Sequence, residues 1–180
     1  SNALNTFSLS GADMAHVSDL IAGAANASSI SVQDFRFSLQ QVGAVANTVG
    51  LSIDDTAVAI AALGNAGIKA SDAGTSLKTM LMNLQPVTKS QVATFSELGL
   101  VTADGANRFF DASGKVKGMA EIAQVLHEAL GPLTEQQKLL NLEMLFGSDA
   151  IRAAAVLTKL GAEGFENLAD KMGKVTAEAV

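Results

Sequence analysis

The sequence predicts an all-α fold: a compact bundle of about eight short helices, with one small hairpin or extended arm near residues 100–118. Three features carry that expectation. Apolar residues recur at helical spacing along most of the chain. Glycines cut these patterns at short intervals, as they do at helix C-termini. After each cut stands a polar residue of the kind that caps a helix N-terminus. All three are densest between Gly43 and Leu84.

Taken in order, Ser10-Gly11-Ala12-Asp13 reads as the cap of a first helix running to about Ala27. Ser31 caps the second, whose apolar residues Val32, Phe35, Leu39, Val42, Ala46 and Val49 form a one-sided stripe. Gly50 ends it. Ser52 starts the third helix, with Asp54 and Asp55 in the first turn, where the positive end of the helix favours carboxylates. Ile53 to Leu63 is apolar nearly all round, so this helix should lie at the centre. Gly67 stops it. Ser71 is expected to cap the fourth helix, with Ala73, Leu77, Met80, Leu81 and Leu84 on its buried face. Pro86 ends that pattern, and Met80 to Met82 reads as core rather than as a binding groove. Thr88-Lys89-Ser90-Gln91 fits a capping box for a fifth helix ending at Gly99.

The helical rhythm stops between Leu100 and Gly118. Two turn-like runs, Ala103-Asp104-Gly105-Ala106 and Asp111-Ala112-Ser113-Gly114-Lys115, flank Arg108-Phe109-Phe110. The rhythm then resumes. Met119, Ile122, Leu126 and Leu130 line a sixth helix. Thr134 caps a seventh, with Leu139, Leu142 and Phe146 on its face. Ser148 is expected to cap an eighth ending at Gly161, and a last short helix over about 162–172 would use Phe165, Leu168 and Met172. Gly50-Leu51-Ser52-Ile53-Asp54-Asp55 has a faint echo in Gly67-Ile68-Lys69-Ala70-Ser71-Asp72, too little for a repeat architecture.

Composition narrows the function. The chain of 180 residues is 48% hydrophobic, yet no apolar run nears the ~20 residues needed to span a bilayer. Aromatic content is only 4%, all of it the eight Phe, so Leu, Ile, Val and Met must build most of the core. Net charge is −6, which argues against nucleic-acid binding, because counterion release needs clustered Lys and Arg. There is no Cys, which removes disulfides and thiolate metal sites.

No residue pattern supports catalysis, a cofactor or a metal. His16 and His127 are far apart and read as surface residues. Asp54 and Asp55 point about 100° apart on a helix and are explained by the helix start. Asp104 and Asp111 fail the calcium-loop spacing, with Ile122 where a closing Glu would be needed. Ser113-Gly114-Lys115 lacks the rest of a phosphate loop, and Glu97 lacks the polar cluster of a glycosidase. Phe109 and Phe110 are the best interaction candidates. Adjacent residues of a hairpin face opposite ways, so one should enter the core and leave the other for a partner; the alternative packs both partly against helices.

The ordered series Gly50, Asn65-Ala66-Gly67-Ile68-Lys69 and Ala73-Gly74-Thr75-Ser76-Leu77, then Glu97-Leu98-Gly99 and Leu145-Phe146-Gly147 with Ala150, resembles the phage tail tape measure (minor tail) protein family. The resemblance marks Gly50, Asn65, Gly67, Ala73, Gly74, Thr75, Ser76, Phe146 and Gly147 as structural positions. It is weakest before Ser31 and within Leu100 to Gly118. It implies a structural virion protein of the tail, made in the host cytoplasm, involved in tail assembly and length determination. The partners it implies are the tail tube, the tail tip and tail-assembly chaperones. Tape measure proteins are long helical chains around which the tube polymerises, so chain length sets tail length. An oligomer is left open, and stable membrane insertion is not expected.

Two expectations about organisation follow. Ser1-Asn2-Ala3 reads as an expression-tag remnant, and residues 4–180 as a single helical domain, a fragment of a longer tape measure chain. A ruler should be a rod, whereas frequent glycines and caps argue for a globule roughly 40 Å across. The segment is therefore expected to be a folded domain rather than the measuring stem. The competing classes are a helical protein-interaction module unrelated to phage, and a membrane-active domain used in genome injection.

Overall fold

The computed structural model describes residue 7 and residues 13–178. Among them are eight α-helices: α1 (Met14–Ala27), α2 (Val32–Val49), α3 (Ile53–Asn65), α4 (Ala70–Met82), α5 (Lys89–Glu97), α6 (Met119–Leu130), α7 (Glu135–Phe146) and α8 (Ile151–Glu178). The 1–3 remnant and the Ser10 to Ala12 part of the first cap lie outside the described residues.

Local chemistry explains four helix starts and two helix stops. The hydroxyls of Ser31, Ser52, Thr88 and Thr134 each accept a hydrogen bond from the backbone N–H three residues on. At Thr88 and Thr134 the Gln three residues later reaches back to the cap, completing a capping box. Gly50 and Gly67, both at φ 87°, close α2 and α3 in the same way. The glycine N–H bonds Asn47 or Gly64, and the next residue's N–H bonds Ala46 or Leu63. This paired bonding satisfies carbonyls that a helix end otherwise leaves open, and it needs a left-handed residue. Leu51 and Ile68, which follow the glycines, are both buried. The echo between the two segments is thus a repeated turn in one register, glycine–apolar–cap–first helical residue.

The second copy departs at its cap. Ser71 does not cap α4. The helix starts one residue earlier, at Ala70, with Lys69 in the cap position and no side-chain hydrogen bond. A lysine has no acceptor to offer the exposed N–H groups. Ala70 itself sits at φ 53°, a conformation that costs about 1–2 kcal/mol without glycine. The buried Ser38 hydroxyl holds it by donating to the Ala70 carbonyl at 2.6 Å.

Helix α3 is the centre of the bundle. Every residue from Thr56 to Gly64 is buried, and the helix packs against α1, α2, α4, α6 and α8. The two most extensive helix pairs are α6 with α8 and α2 with α4. On α4, Ala73, Leu77, Met80 and Leu81, with Leu84 beyond it, are all buried, but Met82 is 61% exposed. The expected face of α7 is corrected at Leu139, which is 57% exposed. Only the C-terminal half of α7 reaches the core, through Leu142, Leu145 and Phe146. Ser148 likewise does not cap α8; a 3₁₀ turn, Ser148–Ala150, leads into that helix.

The arm over 100–118 is two miniature hairpins in tandem rather than one. Each closes through one antiparallel bridge, Val101 with Asn107 and Phe110 with Val116. Their tips are the two glycine turns, Gly105 at φ 88° and Gly114 at φ 87°. The arm is sewn to the bundle by the Val116 N–H on the Val49 carbonyl, and by the Asn107 amide on the Leu84 carbonyl.

Candidate functional site

Four of the residues that the resemblance singles out, Ala73, Gly74, Thr75 and Ser76, lie on α4, which packs against α2 and α8. Ala73 is fully buried, and Gly74 faces α2 at very short range. A Cβ at Gly74 would lie 2.5 Å from Gln41 Cβ, 2.7 Å from the Ser38 carbonyl oxygen and 3.1 Å from Ser38 Cα. Two helix backbones can approach this closely only without a side chain between them. Two residues on, the buried Ser76 hydroxyl accepts the Ala153 N–H at 3.0 Å. That N–H is among the first of α8, where no intrahelical partner exists. Ser76 therefore caps a helix 77 residues away in sequence. Thr75 is half-buried beside it, and Leu77 is fully buried.

Removing the Ser76 hydroxyl should expose the cost of that buried N–H. Ser76→Ala is expected to destabilise the domain by about 2 kcal/mol, read as a lower urea midpoint with an unchanged slope. An unshifted midpoint would mean that α8 does not depend on this cap.

The other marked positions are also structural joints. The Asn65 side chain accepts the Ser29 N–H at 3.1 Å, tying the end of α3 to the α1–α2 connection. Phe146 is buried, and Gly147 at φ 83° turns the chain from α7 towards α8. Phe109 is 0% exposed and stands between two rings. Its centroid lies 5.9 Å from Phe95, nearly perpendicular, and 6.5 Å from Phe146. Phe110 is half-buried against the core. In this fold, then, Phe109 anchors the arm, and only Phe110 keeps some surface.

An open cleft of about 610 Å³ lies alongside, lined by residues such as Thr79, Asn83, Gln91, Glu143 and Asp149. Two of its polar side chains, Gln91 and Asn83, are engaged with each other. The Gln91 amide donates to Asn83 and to the Leu145 carbonyl, and Asn83 donates to the Thr79 carbonyl. These bonds stitch α5 to α4 and α7. Among the described residues, no group of three His, Asp or Glu could hold a metal ion. No helix there is long and apolar enough to cross a membrane.

The aspartates singled out in the sequence hold parts of the fold in place. Asp55 accepts the Met119 N–H at 2.8 Å, capping α6 across 64 residues. Asp54 accepts from His16 Nε2 at 2.8 Å, an exposed pair. Asp104 and Asp111 organise the two arm turns. The Thr102 hydroxyl holds the Asp104 carboxyl below its ordinary value, and the Ser113 hydroxyl does the same for Asp111.

His127 is a joint too. Its Nδ1–H donates to the Thr158 carbonyl at 2.9 Å, while the Gln124 Oε1 accepts the Ala162 N–H at 3.0 Å. Between those two backbone groups the chain leaves the helix at Gly161, with φ 62° and ψ −170°. Gln124 is oriented in turn by donating to Glu128, which also pairs with Arg108 at 3.3 Å. The Gln124 amide and then the Arg108 guanidinium keep the Glu128 carboxyl below its usual range.

A small-residue helix crossing, helix starts capped from distant elements and an aromatic anchor hold a helical module together. The comparisons with known proteins place this module in a family. The family model described as "Phage-related minor tail protein" matches residues 1–147, and the chain belongs to that family. It is 29% identical over 171 residues to the "Tape measure protein" of Pneumococcus phage Dp-1, covering 95% of this chain and 14% of that protein. It is 28% identical over 175 residues to the "Probable tape measure protein" of Escherichia phage P2, covering 96% of this chain and 20% of that protein. The chain thus spans a fifth or less of the length of these relatives. No solved structure matches it.

Proposed function

We propose that this chain is a folded domain of a phage tail tape measure protein, with a structural role in tail assembly rather than a share in the measuring stem. One observation carries the reading. The matches to both tape measure relatives run over nearly the whole chain, while that same stretch folds into eight helices around α3. A stem needs length per residue. A bundle held by Gly74, by the Gly50 and Gly67 turns and by caps between distant helices folds its length back on itself. The partners fitting this reading are the tail tube, the tail tip and the tail-assembly chaperones, with the virion tail as its location.

Tail length separates a domain from a stem. In the phage that carries this chain, a second in-frame copy of residues 4–180 is expected to leave tail length unchanged by electron microscopy. Were the segment part of a helical stem, the tail would grow by about 265 Å, at 1.5 Å per residue. Growth of that size would overturn the proposal.

A further inference from the structure

We propose that α8 is a two-state element, broken at Gly161 in the compact bundle and able to close into one continuous helix, with Gln124 and His127 as the latch that holds the break. Three observations meet here. The first is the backbone. A single residue, Gly161, leaves helical geometry between two helical stretches. Its φ of 62° suits glycine, and a Cβ would come 3.2 Å from Gln124 Oε1 and 3.3 Å from His127 Cγ.

The second is the latch. A helix break strands a carbonyl before it and an N–H after it. Here the Thr158 carbonyl and the Ala162 N–H are both taken up by α6, through His127 and Gln124. Those residues are three apart, so they share one face of α6. Glu128, four residues beyond Gln124, holds its amide so that the oxygen faces Ala162. In a straight helix the same backbone groups would bond to one another.

The third is the sequence pattern. Ala154, Leu157, Gly161, Phe165, Leu168, Met172 and Val175 follow at steps of 3, 4, 4, 3, 4 and 3. The apolar stripe therefore keeps one helical phase straight through the break, and no proline lies between 151 and 178. Two independent helices joined by a turn have no need to stay in phase. A continuous α8 of 28 residues would be about 42 Å long. In the broken form Phe165 and Met172 are buried. Met172 shares a groove with Leu20 of α1 and Val58 of α3, and this burial makes the broken form the dominant one. Any ligand that binds the freed stripe better than the folded one shifts the balance towards the straight form.

The chain has no native cysteine, so spin labels at Arg152→Cys and Asp170→Cys, both exposed, report the separation cleanly. In a straight helix these positions are about 27 Å apart along the axis, and the broken form should give one shorter separation. In Gln124→Ala/His127→Ala, losing two hydrogen bonds should raise the long-distance population about tenfold with helical circular dichroism retained. Gly161→Ala should move it further in the same direction. The proposal is overturned if the latch variant gains no population near that distance, or loses the short separation only together with its helical signal.

Discussion

Gly74→Ala is expected to destabilise the domain by about 3 kcal/mol, although alanine is the better helix former by about 1 kcal/mol. The added methyl would sit 2.5 Å from Gln41 Cβ and 2.7 Å from the Ser38 carbonyl oxygen. Neither neighbour is the free end of a flexible side chain. One is the root of a side chain and the other is backbone, so relief requires α2 and α4 to separate. Separation would loosen buried Leu39 and Val42 on one helix and Ala73 and Leu77 on the other. Overpacking of this kind costs about 1–3 kcal/mol, more when backbone must move. Separation would also strain the Ser38 bond to Ala70, which crosses the same contact. Urea denaturation followed by circular dichroism measures the loss. Stability equal to the wild type would mean that the crossing is wider than described.

Phe109→Ala is expected to cost about 4 kcal/mol, in the range for a buried ring replaced by a methyl. Phe109 is 0% exposed and contacts Phe95 from α5 and Phe146 from α7. Its loss removes ring packing on two sides and the anchor that carries the arm. Two signs should appear together: a large fall in the urea midpoint, and faster amide exchange at Arg108 and Lys117, whose N–H groups close the arm's bridges, and at Val116, which bonds Val49. A fall in midpoint with the arm still protected would show that Asn107 and Val116 suffice to hold it.

The helices were legible because their signals are local. Ser31, Ser52, Thr88 and Thr134 cap the residues just after them, and Gly50 and Gly67 close the turns just before them. The family resemblance was legible for the same reason, since Asn65 to Lys69 and Ala73 to Leu77 are short ordered motifs. The reasons for those motifs were not legible. That Ser76 serves Ala153, Asp55 serves Met119, and Gln124 serves Ala162 depends on which helices lie side by side. No spacing rule reports that. Leu139 misled because helical phase says which residues share a face, not how far along the helix its neighbours extend. Ser71 misled because α4 begins on Ala70, whose left-handed backbone is held by Ser38 from another helix. The tandem arm was half visible: both glycine turns stood in the sequence, but their separate bridges depend on where Phe109 enters the core.

On this account, this stretch of a tail protein is a globule and not a length of rod. Small-angle X-ray scattering of the 180-residue protein tests it most directly. A compact bundle of this size should give a radius of gyration of about 16 Å with a bell-shaped normalised Kratky curve. A larger radius with a rod-like profile would contradict it.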